Sequence, residues 1–426
     1  MSHTLQVLLL LALVVPTAKL AGAAANRIGQ PAVFGEILIG LLLGPTLFDI
    51  LGWPIFHVAP AAPGHAVEAA PLLAIVRDLA EIGVILLMFI AGMETDLDEM
   101  RRVGKVAFWS ALGGVALPMI GGVMVARAFG YPVLWHGIFI GTILTATSVS
   151  ISAQTLIELG ALKSKEGSTI LGAAVIDDVM GIVVLSIVIA LARAGGETDV
   201  GAIVFPIVRM ALFFAAAIGA GRALPALARF AERLEVSQGL LAIVLAVAFA
   251  YAWSAEYLGG VAAITGSYLA GLIFAQTRFK KPIDEAIHPL TYSLFVPVFF
   301  VSIGLQANGR ELGPRAAFAA ALIVVAIATK ALGCGLFARL AGFNTKASMR
   351  VGAGMISRGE VGLIIAGYGL ANGLIDRDVF SAAVVMVLVT TMVTPPLLKA
   401  TFPKRRGRGT VVEETIAGPP EEAQDR

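Results

Sequence analysis

The chain has 426 residues, 58% of them hydrophobic and only 14% charged, with a mean hydropathy of +0.88. Soluble proteins carry roughly 25% charged residues, and no water-soluble domain of this size hides so much apolar surface, which excludes a secreted or cytosolic enzyme, a coiled coil and a disordered chain. The net charge of +2 gives no field for nucleic acid, and the single cysteine, Cys334, closes no internal disulfide.

A helix needs about 20 apolar residues to cross the hydrocarbon core. Windows of that size, broken at Gly, Pro and charge clusters, give about thirteen spans. They run over 4–26, 31–51, 70–93, 103–128, 133–159, 166–193, 200–224, 237–256, 259–277, 286–307, 314–338, 347–371 and 378–401. The first apolar run also has the size of a signal peptide. No Lys or Arg precedes it, however, and Lys19 and Arg27 follow it, so it reads as an uncleaved helix.

Basic residues concentrate in alternate loops, at Arg101, Arg102 and Lys105, at Lys163 and Lys165, at Arg278, Lys280 and Lys281, and beyond Pro403. Such loops stay in the cytoplasm. The N-terminus is therefore expected outside and the C-terminus inside, which requires an odd number of spans. Residues 403–426 read as a short disordered tail, and no strand, glycine-rich loop and helix of a nucleotide-binding domain is expected after the last span.

Each ionisable group near the bilayer centre costs about 2.5–3.5 kcal/mol, so such groups mark function. Glu36 lies near the inner end of the second span. Arg77, Asp78 and Glu81 share the third, where Arg77 and Glu81 are one turn apart. Asp96, Asp98 and Glu99 read as a solvated loop, and Arg209 stands alone in the seventh span. The five histidines are scattered, His57 and His65 in the outer loop, with no metal-ligand spacing.

The strongest signal is Asp177-Asp178, in a run otherwise apolar from Thr169 to Ala192. Neighbours on a helix point about 100° apart, so one carboxylate can pair with a fixed cation while the other faces a water-filled cavity. The cation is expected to be Lys330, mid-span between Ala321 and Leu336 and too central to snorkel. Pairing keeps both groups charged where desolvation would otherwise neutralise them.

Two spans read as broken. Thr145-Ala146-Thr147-Ser148-Val149-Ser150 interrupts the fifth with hydroxyls, and Met355-Ile356-Ser357-Arg358-Gly359-Glu360 interrupts the twelfth. Irregular backbone at depth survives only inside protein or beside a cavity, and matched broken helices in the two halves of a chain point to a transporter's binding site. Arg358 and Glu360 either pair locally to hold the break open or take part in transport. The layout of spans four to six against eleven to thirteen is that of an inverted repeat, without repetition residue by residue.

Other classes fit less well. An intramembrane aspartyl protease needs its two carboxylates facing each other from separate helices, which adjacent residues do not provide. A prenyl-transferring enzyme needs acidic clusters for magnesium and diphosphate, and a channel needs a continuous polar file.

Gly172-Ala173-Ala174-Val175-Ile176-Asp177-Asp178-Val179, preceded by Thr145-Ala146-Thr147-Ser148-Val149, resembles the monovalent cation:proton antiporter superfamily. The likeness is to its bacterial sodium/proton branch with an Asp-Asp pair. Thr329-Lys330-Ala331-Leu332-Gly333, Ser357-Arg358-Gly359-Glu360-Val361-Gly362-Leu363, Phe34-Gly35-Glu36 and Phe299-Phe300-Val301-Ser302 fit the same branch. The resemblance implies an all-α polytopic membrane protein of thirteen helices in a bacterial inner membrane, with two discontinuous helices crossing. It implies a homodimer with core helices at about 70–193 and 286–401 and dimer helices at about 4–51 and 200–277. Asp178 would bind the ion and proton, Asp177 would bridge to Lys330, and Thr147 and Ser148 would lie near the ion. Arg358 and Glu360 would belong to the second break. A lysine at position 330 implies electrogenic exchange of sodium or lithium for protons, with potassium as the alternative cargo. No cofactor and no nucleic-acid partner is expected.

Overall fold

The computed structural model describes residues 2–28, 30–56, 71–193, 200–233, 236–305, 316–371 and 373–402. For a few residues within helices, Glu360 among them, the description is of the backbone alone. The outer segment with His57 and His65, and the tail from 403, lie outside the described residues.

The elements are α1 (His3–Arg27), α2 (Ala32–Leu43), α3 (Pro71–Glu94), α4 (Leu97–Ala128), α5 (Ile138–Thr145) and α6 (Val149–Glu158). There follow α7 (Lys165–Arg193), α8 (Val200–Gly221), α9 (Leu224–Glu232), α10 (Gly239–Trp253), α11 (Ala263–Phe274) and α12 (Lys280–Leu290). The last are α13 (Val296–Leu305), α14 (Ala316–Leu340), α15 (Thr345–Gly354), α16 (Glu360–Ala371) and α17 (Arg377–Thr401). No strand occurs among the described residues. Nine helical stretches there are long and apolar enough to cross a membrane. Helix lies in each of the thirteen sequence windows.

The helices depart from those windows where backbone chemistry overrides hydropathy. The second window runs to residue 51, but α2 stops at Leu43, because Gly44 turns extended ahead of Pro45. The apolar residues that follow form two short helical turns, at Ile50–Gly52 and Pro54–Phe56. The acidic run expected as a loop is instead the start of α4. The Asp96 carboxylate accepts from the backbone N–H groups of Asp98 and Glu99 at 3.0 Å each, capping the helix, and the two acids occupy its positive end. Hydropathy also gave no hint of α9, a short amphipathic helix after Gly221.

Packing divides the helices into two groups. In one, α4 lies along α14 and α7, and the broken pairs α5–α6 and α15–α16 are enclosed with α17. In the other, α3 packs on α11 and α13, α13 on α2, α2 on α1, and α10 on α11. The groups meet where α7 touches α8, α6 touches α3, and α17 touches α2.

The closest approach in the first group is between α4 and α14. A Cβ on Gly333 would stand 2.3 Å from the carbonyl oxygen of Gly113, and one on Gly113 2.4 Å from that of Gly333. Small residues at such crossings let membrane helices approach backbone to backbone, where dispersion holds them without a hydrophobic drive from water. The contact lies one turn from Lys330 and sets its depth. Gly333→Val should therefore lower stability by about 1–3 kcal/mol through overpacking, seen as a lowered melting temperature in detergent. Gly104→Ala, where an added Cβ meets nothing within 4 Å, should melt like the parent chain.

Candidate functional site

The two breaks are bonded to each other. The Ser148 N–H donates to the Ser357 carbonyl at 2.9 Å, and the Ser357 hydroxyl donates back to the Ser148 carbonyl at 2.7 Å. The Ser152 hydroxyl reaches the carbonyl of Gly354, the last residue of α15. Hydroxyl side chains offer backbone groups partners outside the helical ladder, and here each break supplies what the other lacks. A glycine at 359 is required, since a Cβ there would sit 2.8 Å from the Ser148 side chain. The Thr391 hydroxyl of α17 donates to the Arg358 carbonyl at 2.6 Å and ties the second break down.

A helix end leaves its last carbonyls unpaired and carries partial negative charge. At the end of α5 two buried cations meet that charge. The Lys330 ammonium donates to the Thr145 carbonyl at 2.6 Å. The Arg358 guanidinium donates to the Leu144 carbonyl at 2.9 Å, to Ala326 of α14 at 3.0 Å, and to the Ile356 carbonyl.

Lys330 is wholly buried, and its three N–H donors have three acceptors. They are the Thr145 carbonyl, the Gly114 carbonyl at 2.8 Å, and the Asp177 carboxylate at 2.9 and 3.1 Å. Asp177 also accepts from the Thr147 hydroxyl at 2.6 Å. Lys330, Asp177, Thr147 and the cut end of α5 thus form one cluster.

Asp178 faces elsewhere, as its place on the helix requires. It is 7% exposed, and the Thr265 hydroxyl of α11, in the other helix group, donates to its Oδ2 at 3.3 Å. Ser148 lies in the first break with its hydroxyl 3.2 Å from that of Ser150. Glu360 opens α16, and its side chain lies outside the described residues.

Two of the other intramembrane charges are accounted for locally. Glu36 pairs with Lys19 of α1 at 3.3 Å. Arg209, expected to stand alone, donates to the carbonyls of Leu258 at 2.5 Å and of Tyr257, closing the helical turn after α10. Among the described residues no cluster of three or more His, Cys, Asp or Glu is arranged to hold a metal. Sequence reasoning missed Thr265, Thr391 and the Gly114 carbonyl. Thr265 carries no signal of its own, because scattered hydroxyls in an apolar helix are unremarkable.

A description of transmembrane sodium/hydrogen exchangers matches residues 9–403. The chain is 41% identical over 393 residues to the Na(+)/H(+)-K(+) antiporter GerN of Bacillus cereus, covering 92% of this chain and 95% of that protein. It is 37% identical to the high-affinity Na(+)/H(+) antiporter NhaS3 of Synechocystis, over 93% and 90% of the two chains. The Na(+)/H(+) antiporter of Enterococcus hirae is 33% identical, over 92% and 96%. In fold, the chain superposes on the sodium proton antiporter MjNhaP1 of Methanocaldococcus jannaschii with a TM-score of 0.66. That match covers 94% of this chain and 97% of the other at 16% identity.

Removing Lys330 alone would leave Asp177 charged and buried, which costs about 3–5 kcal/mol. Lys330→Met should therefore melt well below the parent, and Asp177→Asn with Lys330→Met should recover most of the loss. Thermal unfolding of the two single and one double variant checks this through the coupling energy of the cycle.

Proposed function

Because the chain belongs to the transmembrane sodium/hydrogen exchanger family, we propose that it is a secondary transporter exchanging sodium for protons across the membrane at Asp178. The observation that carries this reading is the buried Lys330–Asp177 pair, set against the crossing of two broken helices with Asp178 beside it. Matched discontinuous helices at depth are a hallmark of transporter binding sites.

The chemistry follows from competition. A proton or a sodium ion neutralises the same carboxylate, so Asp178 holds one or the other. Coupling then needs no separate gate. In the proposed cycle, sodium arriving at Asp178 weakens the hold of Asp177 on Lys330, whose proton then leaves. That gives electrogenic exchange of two protons for one sodium. Lithium is an equivalent cargo on this chemistry.

Movement between facing states is proposed to carry the group of α4–α7 and α14–α17 as a core past the remaining helices as a scaffold. The packing of α3 on α11 and of α13 on α2 supports placing α3 and α13 with the scaffold. The proposed assembly is a homodimer through that scaffold, with thirteen crossings, the N-terminus outside and the C-terminus in the cytoplasm of a bacterium.

Purified protein in liposomes with an internal pH dye and clamped membrane potential tests the reading. Sodium should drive proton movement whose rate follows the imposed voltage. A response to potassium and none to sodium would replace the cargo, and a response to neither would overturn the transport reading. Asp178→Asn should abolish exchange in protein that remains monodisperse. Lys330→Ala, where it folds, should exchange without dependence on voltage, and full voltage dependence would make Lys330 a structural cation.

A further inference from the structure

We propose that Thr265 supplies a scaffold-side oxygen to the cation held at Asp178, so that the ion site is complete in only one arrangement of the two helix groups. The proposal rests on the transport reading above and names a further ligand for the same site.

Thr265 is 3% exposed, and its hydroxyl stands 3.3 Å from Asp178 Oδ2. Oxygens bound at right angles to one calcium ion, at about 2.3–2.6 Å, stand roughly 3.3–3.7 Å apart. Sodium has nearly the same radius. The two oxygens are therefore already at the spacing of adjacent ligands. The hydroxyl donates its proton to the carboxylate when the cation is absent, and turns its lone pairs toward the cation when one arrives.

The position of this hydroxyl is fixed by the scaffold. α11 has 12 residues, about 18 Å of helix, and Thr265 lies in its first turn. The turn before it closes with Gly260 at a left-handed φ of 68°. Its carbonyls at Tyr257 and Leu258 are held by Arg209 of α8. Two residues on, the Ser267 hydroxyl donates to the Ile85 carbonyl of α3 at 2.7 Å. Asp178 rides on α7 with the core. Displacement of the core carries Asp178 away from Thr265 and removes one oxygen from the cation, making affinity differ between the two facing states.

The test is sodium-dependent proton movement in liposomes for the parent, Thr265→Val, Thr265→Ser and Asp178→Asn. Valine keeps the shape and removes the oxygen. Thr265→Val should raise the sodium KM about five- to tenfold, the order expected for one lost polar contact, with kcat within about twofold. Thr265→Ser should return KM to within about twofold of the parent. An unchanged KM in Thr265→Val, or equal impairment of the Val and Ser variants, overturns the proposal while exchange by the parent stands. Absence of exchange in the parent overturns the transport reading itself, and this proposal with it.

Discussion

The ion pair between Lys330 and Asp177 organises the structure around it. Taking an ammonium and a carboxylate out of water costs several kcal/mol per ion, and their attraction repays this only when every remaining donor and lone pair is also satisfied. Here the surplus donors of Lys330 go to the Thr145 and Gly114 carbonyls, and Thr147 donates to Asp177. The break in the fifth span is thus part of the pair's surroundings. A continuous helix through residues 146–148 would pair the Thr145 carbonyl within the helix and leave the lysine short of an acceptor. Arg358 does the same for Leu144 from the other broken helix. The irregular backbone and the buried charges each make the other tolerable.

That mutual dependence ties the helices of the first group to one another. α4 and α14 touch through glycine backbones, the breaks exchange hydrogen bonds, and α17 holds the second break through Thr391. Across the boundary to the other helices, two polar contacts stand out. One is the backbone N–H of Ala32, at the start of α2, donating to the Glu158 carboxylate at the end of α6 at 2.8 Å. The other is Thr265 on Asp178. A single hydrogen bond contributes about 0.5–1.5 kcal/mol net, and somewhat more to a charged group. Contacts of that size suit the proposed cycle, since they hold one arrangement against thermal motion and are weak enough to break.

What sequence reveals of such a molecule follows from what membrane burial costs. Asp177, Asp178 and Lys330 are visible because charge in an apolar run is expensive, and the two breaks because hydroxyls, glycine and arginine replace leucine. Composition did not say which aspartate meets the lysine. That came from the family resemblance, and Asp177 is the one found against Lys330. Hydropathy reports depth and says nothing of neighbours, so it missed α11 reaching Asp178 and the packing of α3 against α11. It also ran α2 past Gly44-Pro45, where backbone geometry stops the helix although the side chains remain apolar. The partners of Arg358 were invisible for the same reason. Its partners are backbone carbonyls, which every residue carries.

Formal charge bears on how voltage would act in the proposed cycle. Among the described side chains around the crossing, the cations Lys330 and Arg358 stand with the carboxylates of Asp177 and Asp178. Ionised together these four sum to zero, and uncompensated charge is what the bilayer centre penalises most. In the proposed cycle, departure of the Lys330 proton when sodium binds returns the sodium-loaded set to zero, whereas the doubly protonated set carries one positive charge. The two loaded forms then differ by one charge as they move. Voltage acts on that difference, at about 2.3 kcal/mol per charge per 100 mV. Voltage dependence of the proposed cycle is therefore a consequence of the proton carried by Lys330.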